Sequence, residues 1–101
     1  MKVADGVAYF KSDAPWYTFE RGGYKPNTLR VVTDTEYEAL KHAEEIEITS
    51  TLSGESFRRD VSGVFDVSDF GRQERGNKLA LVCWYGIWSE ILTVEDECDH
   101  E

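Results

Sequence analysis

Polar and apolar residues alternate along residues 28–32, TLRVV, which are also rich in β-branched side chains. Because successive side chains of a strand point to opposite faces, this pattern predicts a strand. Thr28, Arg30 and Val32 are expected on one face, and the two residues between them on the other. This alternation matters because it places two polar residues, Thr28 and Arg30, on the same face of the strand.

Three further segments have strand patterns. Residues 6–10 (GVAYF) are apolar enough for a short strand, and residues 45–51 (EIEITST) alternate acidic with apolar positions. After a turn at SGE, residues 56–67 (SFRRDVSGVFDV) continue as a longer strand whose phase changes near Gly63. The last two segments together predict a β-hairpin with a bulge.

Helical spacing is clearest after the TLRVV strand. Thr33 followed three residues later by Glu36 predicts a capping box, and Tyr37 and Leu40 supply an apolar stripe. Residues 16–20 (WYTFE) fit either a strand or one helical turn, and their periodicity does not decide between them.

The C-terminal part of the chain contains the longest apolar run, residues 79–88 (LALVCWYGIW). Its continuity predicts a central strand buried on both faces, with Trp84, Tyr85 and Trp88 in the core. The next residues, SEILT, suit a short edge strand. The whole pattern predicts an α+β fold, a small and partly closed β-barrel with one early α-helix.

Length and composition favour one domain. The chain has 101 residues, of which 41% are apolar, so we expect a single domain over residues 1–94 and a frayed acidic tail over residues 95–101. Cys83 lies in the apolar run and Cys98 in the tail, which favours a buried and an exposed thiol in a reducing compartment.

The charge balance narrows the expected partners. Twenty acidic residues against eleven basic ones give a net charge of -9, which argues against duplex DNA as a partner. The chain has no secretory h-region and no membrane-length apolar run, so we expect a cytoplasmic protein without membrane contact. The spacing of His and Cys and the absence of a phosphate-binding glycine loop predict neither a metal nor a cofactor.

A polar constellation stands where the TLRVV strand begins. Lys25, Thr28 and Arg30 have the spacing K-x-x-T-x-R within RGGYKPNTLR. On a strand, Thr28 and Arg30 share a face, and Lys25 can fold back over them from the bend to hold a carbonyl, carboxylate or phosphate oxygen. The alternative is a plain turn with solvated charges, and spacing alone favours that alternative.

Aromatic residues flank this constellation. Trp16 and Tyr24, with Tyr17 and Phe19 between them, could form a flat pocket on which a pyrimidine or purine stacks. Ordinary core and half-buried aromatic positions explain them at least as well.

The motif and the order of elements resemble the ASCH family of small PUA-like β-barrels. The similarity covers roughly residues 19 to 86, and only the K-x-x-T-x-R motif is sharp. The chain is most similar to short bacterial members that act as amidohydrolases on N4-acetylcytidine. The resemblance therefore implies a site for a nucleobase, a nucleoside or a single-stranded RNA element, with hydrolysis of a modified nucleoside's amide as the enzymatic form.

The same resemblance implies roles for individual residues. Lys25 would be the activating group, Thr28 the nucleophile, and Arg30 a substrate-orienting or structural cation. The hydrolases of the family also need a glutamate from the segment between the hairpin and the closing strand. This segment offers Glu74, with Asp66 and Asp69 as rivals.

The charge supports a different class of function. A small regulatory or interaction protein of viral or plasmid type would use the barrel only as a scaffold and bind a protein partner through its acidic surface. The acidic composition favours this alternative, whereas the motif favours nucleoside recognition.

Overall fold

The structure is a computed structural model that describes residues 1–71 and 73–85. In chain order its elements are β1 (Lys2–Ala4), β2 (Val7–Ser12), α1 (Trp16–Arg21), β3 (Asn27–Thr33), α2 (Asp34–Leu40), β4 (Glu45–Ser50), β5 (Ser56–Asp66), a 3-10 turn (Ser68–Phe70) and β6 (Asn77–Trp84).

All six strands belong to one sheet with the order β1-β2-β4-β5-β6-β3. The β2–β4 pair is parallel and the other pairs are antiparallel. The register of β5 against β6 shifts between Val61 and Gly63, which confirms the predicted bulge. The expected α+β architecture with a partly closed sheet is confirmed at this level.

One edge of the curved sheet, β3, approaches the end of β2 that extends beyond β1, without pairing with it as a strand. Arg30 of β3 donates from Nη1 to the backbone carbonyl of Lys11 (2.8 Å) and from Nη2 to Oγ of Ser12 (2.7 Å), both in β2. We call this approach of β2 and β3 the seam. A side chain, rather than a ladder of backbone hydrogen bonds, links the two strands there.

The alternation predicted for β3 is confirmed. Val32 is 2% exposed and faces the core, whereas its neighbour Val31 is 59% exposed. Thr28 is buried on the same side as Val32, and Arg30 is half-buried there. The strand therefore carries its two polar residues on the concave, core-facing side of the sheet.

The core lies between the concave sheet and the two helices. Ile46 and Ile48 of β4 and Leu40 of α2 are fully buried. Phe57 packs between Tyr17 of α1 and Trp84 of β6, with ring centroids 5.5 and 6.1 Å apart. Tyr17 fixes α1 over the sheet through this contact.

The helices differ from the expectation of a single early helix. The capping box is confirmed, because Glu36 N donates to Thr33 Oγ1 (3.0 Å) and Thr33 N donates to Glu36 Oε1 (2.8 Å). The segment at residues 16–20, which periodicity left open, is helical and forms most of α1. The domain thus has two short α-helices within the described residues.

The closing strand corrects two other predictions. In β6, Ala80, Val82 and Trp84 are buried, but the residues between them are only half-buried, so the strand is not covered on both faces. Tyr85 is exposed rather than part of the core. Trp88, the predicted edge strand at SEILT, Cys98 and the acidic tail lie outside the described residues.

Candidate functional site

The bend between α1 and β3 folds back onto the helix. Gly23 has a positive φ of 82°, a conformation that glycine adopts without strain. Two residues later, the backbone N–H of Lys25 donates to the carbonyl of Phe19 in α1 (3.1 Å). The glycine-containing bend therefore places Lys25 beside the helix, at the start of β3.

Lys25 lies against a buried carboxylate. Its Nζ donates to Oε2 of Glu20 (3.2 Å) and to the backbone carbonyl of Asn27 (2.9 Å), and it lies 5.9 Å from the centroid of the Trp16 ring. Glu20 is only 2% exposed although it belongs to a surface helix. A carboxylate so deeply buried needs partners for its charge, and Lys25 supplies one.

The hydrogen bonds continue from Glu20 across the seam. Ser12 Oγ donates to Glu20 Oε1 (2.7 Å) and accepts from Arg30 Nη2 (2.7 Å). Arg30 Nε in turn donates to Oγ1 of Thr28 (2.9 Å). We call these five residues, Ser12, Glu20, Lys25, Thr28 and Arg30, the Glu20 network.

The network carries two cations and one carboxylate. Burial lowers the pKa of Arg30, while the charges of Glu20 and Asp13 act to raise it. Arginine nevertheless stays protonated at any physiological pH. Its guanidinium lies 5.0 Å from the centroid of the Phe10 ring, a cation–π contact that partly replaces lost hydration. The network therefore has a net positive charge inside an acidic protein.

A cleft of about 320 Å³ opens over the network, which lines it together with Trp16, Lys11, Asp13 and Leu29. This volume is at the lower end of the range for small-molecule sites. Trp16 is 55% exposed, so part of its ring is free of protein contact. The cleft thus combines a flat aromatic wall with a floor of polar groups in fixed positions.

The structure brings together four of the residues that the sequence singles out: Trp16, Lys25, Thr28 and Arg30. Tyr24 does not belong with them, because it is 88% exposed and does not line the cleft.

Glu74 lies elsewhere. In the β3–β6 register Asn77 pairs with Thr33, so Glu74 lies beyond the Thr33 end of β3, whereas Lys25 precedes the Asn27 end. These ends are six residues apart, about 20 Å along a strand. Its two rivals do not line the cleft either: Asp66 accepts from Ser68 and pairs with Lys78, and Asp69 is exposed.

The acid beside Lys25 is Glu20, which the K-x-x-T-x-R spacing does not indicate, and that spacing does not indicate Ser12 either. A signal for Glu20 was present: if residues 16–20 form a helix, Trp16 and Glu20 are four residues apart and lie on one face. Because periodicity does not decide whether residues 16–20 are a helix or a strand, the sequence alone does not predict that Trp16 and Glu20 share a face. Ser12 had no comparable signal, since its role depends on how β2 meets β3.

Within the part of the chain that the structure describes, no group of three or more His, Cys, Asp or Glu residues is placed to hold a metal ion. Among the same residues, no helix has the length and apolar character needed to cross a membrane.

Comparison with protein-family models, with characterised proteins and with solved structures finds no match to this chain. A function must therefore be argued from the cleft.

Proposed function

We propose that the chain is an ASCH-like, PUA-like domain that binds a nucleobase or nucleoside, free or within a single-stranded RNA, in the cleft over the Glu20 network. The observation that carries this proposal is the hydrogen-bonded network beneath the exposed face of Trp16. Flat polar rings are recognised in proteins by an aromatic stacking surface and fixed donors and acceptors at the ring edge.

The donors and acceptors of the network suit a base edge. An ammonium has three N–H donors, and the described part of the chain uses two of those of Lys25, through Glu20 and Asn27. The third can donate to a ring nitrogen or carbonyl of a base stacked on Trp16. The side chain of Glu20 is only 1% exposed, so it holds Lys25 in position rather than contacting the base.

Amide hydrolysis is the enzymatic form of this proposal, and the geometry supports it less than binding. Thr28 is buried and its Oγ1 already accepts from Arg30. Lys25 is engaged as a cation by Glu20 and Asn27, whereas a lysine that activates a hydroxyl must be neutral and in contact with it. Hydrolysis would require Lys25 to leave Glu20.

Calorimetric titration of the full chain with cytidine, N4-acetylcytidine, adenosine and four-nucleotide RNAs tests the proposal. We expect at least one of them to bind, and binding to weaken in a Trp16→Ala variant. Chromatographic detection of acetate release from N4-acetylcytidine tests hydrolysis separately. If none of these ligands binds while the folded chain captures a defined protein partner, the acidic interaction protein becomes the better interpretation.

A further inference from the structure

A groove of about 730 Å³ continues the cleft along the seam. The two share Lys11 and Arg30 in their walls. Beyond these residues the groove runs between Tyr9 of β2 and Val32 of β3. From Thr28 in the cleft to Val32 in the groove, β3 advances by four residues, or about 14 Å. The cleft and the groove therefore adjoin each other at Lys11 and Arg30.

The groove differs in charge from the rest of the molecule. Its described lining residues include three cations, Lys2, Lys11 and Arg30, and no Asp or Glu. The whole chain has 20 acidic and 11 basic residues. The charged residues described in the groove are all basic, which is the opposite of the excess in the whole chain.

These cations are also available. Elsewhere in the described chain, Arg21, Lys41, Arg58 and Lys78 have carboxylate partners. Within the same described residues, neither Lys2 nor Lys11 forms an ion pair. Among the described residues, an anion entering the groove therefore does not have to displace a carboxylate from either lysine.

The acidic residues nearest in the sheet are already engaged. Glu47 of β4 pairs in register with Tyr9, but its carboxylate contacts Arg58 at 2.9 Å, and Glu45 lies 3.7 Å from the same guanidinium. Arg30 retains donors as well, because three of the five N–H groups of its guanidinium are used by Thr28, Lys11 and Ser12.

We propose that the ligand of the cleft carries a phosphate ester, which occupies the groove between Lys2, Lys11 and Arg30. This inference rests on the proposed function, since the base on Trp16 fixes where the phosphate begins. It narrows the ligand from the nucleobase, nucleoside or single-stranded RNA element that the resemblance implies to a nucleotide or an RNA strand. Lysines and arginine bind phosphate oxygens through charge-assisted hydrogen bonds.

Titration with cytidine, cytidine 5′-monophosphate and a four-nucleotide RNA measures the contribution of the phosphate. In the wild-type chain we expect the nucleotide to bind about tenfold tighter than the nucleoside, as for one charged hydrogen-bonded contact. In a Lys2→Gln, Lys11→Gln double variant this ratio should fall toward one. A Lys41→Gln variant, whose lysine is ion-paired outside the groove, should keep the wild-type ratio.

The salt dependence identifies the source of the phosphate. Each phosphate of a single strand that the protein contacts should weaken binding roughly 2.5-fold between about 50 and about 200 mM salt. If the natural ligand is a free nucleotide, the affinities for the monophosphate and for the RNA should depend equally on salt concentration. An RNA strand predicts a steeper slope for the tetranucleotide. Either slope supports a phosphate in the groove.

Other outcomes would overturn the inference. If cytidine and its monophosphate bind equally, or if the double variant keeps the wild-type ratio, no phosphate uses the groove and nucleoside binding stands alone. If tetra-aspartate binds as tightly as the RNA, the groove is only a general anion patch. If no nucleoside or nucleotide binds, NMR titration with pyrophosphate decides: shifts at Lys2 and Lys11 retain the phosphate site while the proposed function fails, and their absence ends both proposals.

Discussion

Lys25 Nζ lies 3.2 Å from Oε2 of Glu20, and the two side chains differ greatly in burial: 31% of the lysine side chain is exposed but only 1% of the glutamate side chain. The pair is thus a buried acid covered by a half-buried base. Lys25 therefore has a structural role in addition to its place in the cleft, because it compensates a charge that water does not reach.

Lys25→Gln should lower the free energy of unfolding by about 1 to 2 kcal/mol, less than for a fully buried pair because Lys25 is partly solvated. Urea unfolding checks this, with an unchanged m-value. The double variant with Glu20→Gln should lose less than the sum of the single variants, since the two residues interact directly.

The matched control for Lys25 is Lys41, which also combines an ion pair, with Glu38 at 3.1 Å, and a ring contact, with Tyr37 at 5.6 Å. Both partners of the Lys41–Glu38 pair are substantially exposed. Lys41→Gln should therefore change stability by less than about 0.5 kcal/mol. Equal effects of the two substitutions would contradict a special role for the buried glutamate.

Arg30→Lys should open the seam. One ammonium cannot reproduce the fork through which Arg30 reaches Thr28, Lys11 and Ser12. We expect a loss of about 2 kcal/mol in unfolding free energy and faster amide hydrogen exchange in β2 and β3. Arg58→Lys, an exposed substitution whose lysine can still pair with Glu47, serves as the control. Unchanged exchange in Arg30→Lys would show that the seam is held by other contacts.

The features predicted correctly from the sequence depend on local rules. The parity of β3 follows from the two-residue period of a strand, and the Thr33–Glu36 capping box involves residues three apart. The bulge near Gly63 was visible as a change of phase. None of these features required knowledge of which elements become neighbours in space.

The features that were missed depend on contacts between distant segments. Glu20 is buried because α1 folds over the sheet and brings its carboxylate to Ser12 of β2, and Ser12 meets Arg30 only because Arg30 crosses the seam. Glu74 was a reasonable choice by chain order, but the register of β6 places it at the far end of β3. Register is set by pairing along the whole strand, which a short motif does not encode.

Cys83 should react slowly with thiol reagents. Burial raises the pKa of this thiol, and the thiolate is the reactive form. In a Cys98→Ser variant, we expect iodoacetamide to modify the native chain much more slowly at pH 8 than the urea-unfolded chain. Because the pKa of the thiol is higher in the folded chain than in the unfolded chain, the neutral thiol contributes to the free energy of unfolding. This contribution is fully present below the pKa of the unfolded thiol, and it is lost as the pH rises through the pKa of the folded thiol. Cys83 is half-buried rather than fully buried as the sequence predicts, and equal rates in both states would contradict even this partial protection.

Thr33→Ala should destabilise α2 by removing its N-cap. The Thr33 hydroxyl accepts from the backbone N–H of Glu36 (3.0 Å), and loss of such a cap typically costs about 1 kcal/mol. Thr35 lies exposed in the first turn of the same helix, so Thr35→Ala is a control with the same chemistry and no cap. The melting temperature should fall in the first variant and stay nearly constant in the second. A similar fall in both variants would assign the effect to helix composition rather than to the cap.

Trp16→Ala separates ligand binding from folding better than any substitution in the Glu20 network. The tryptophan is more than half exposed and its ring contacts Lys25 and Phe19 at the cleft rim, so its removal should leave the unfolding free energy within about 1 kcal/mol of wild type. Loss of base stacking should weaken nucleoside or nucleotide binding by about tenfold or more. Phe70→Ala removes an exposed aromatic ring that does not line the cleft and should leave affinity unchanged. Equal affinity in both variants would remove Trp16 from the site and with it the stacking surface on which nucleoside recognition depends.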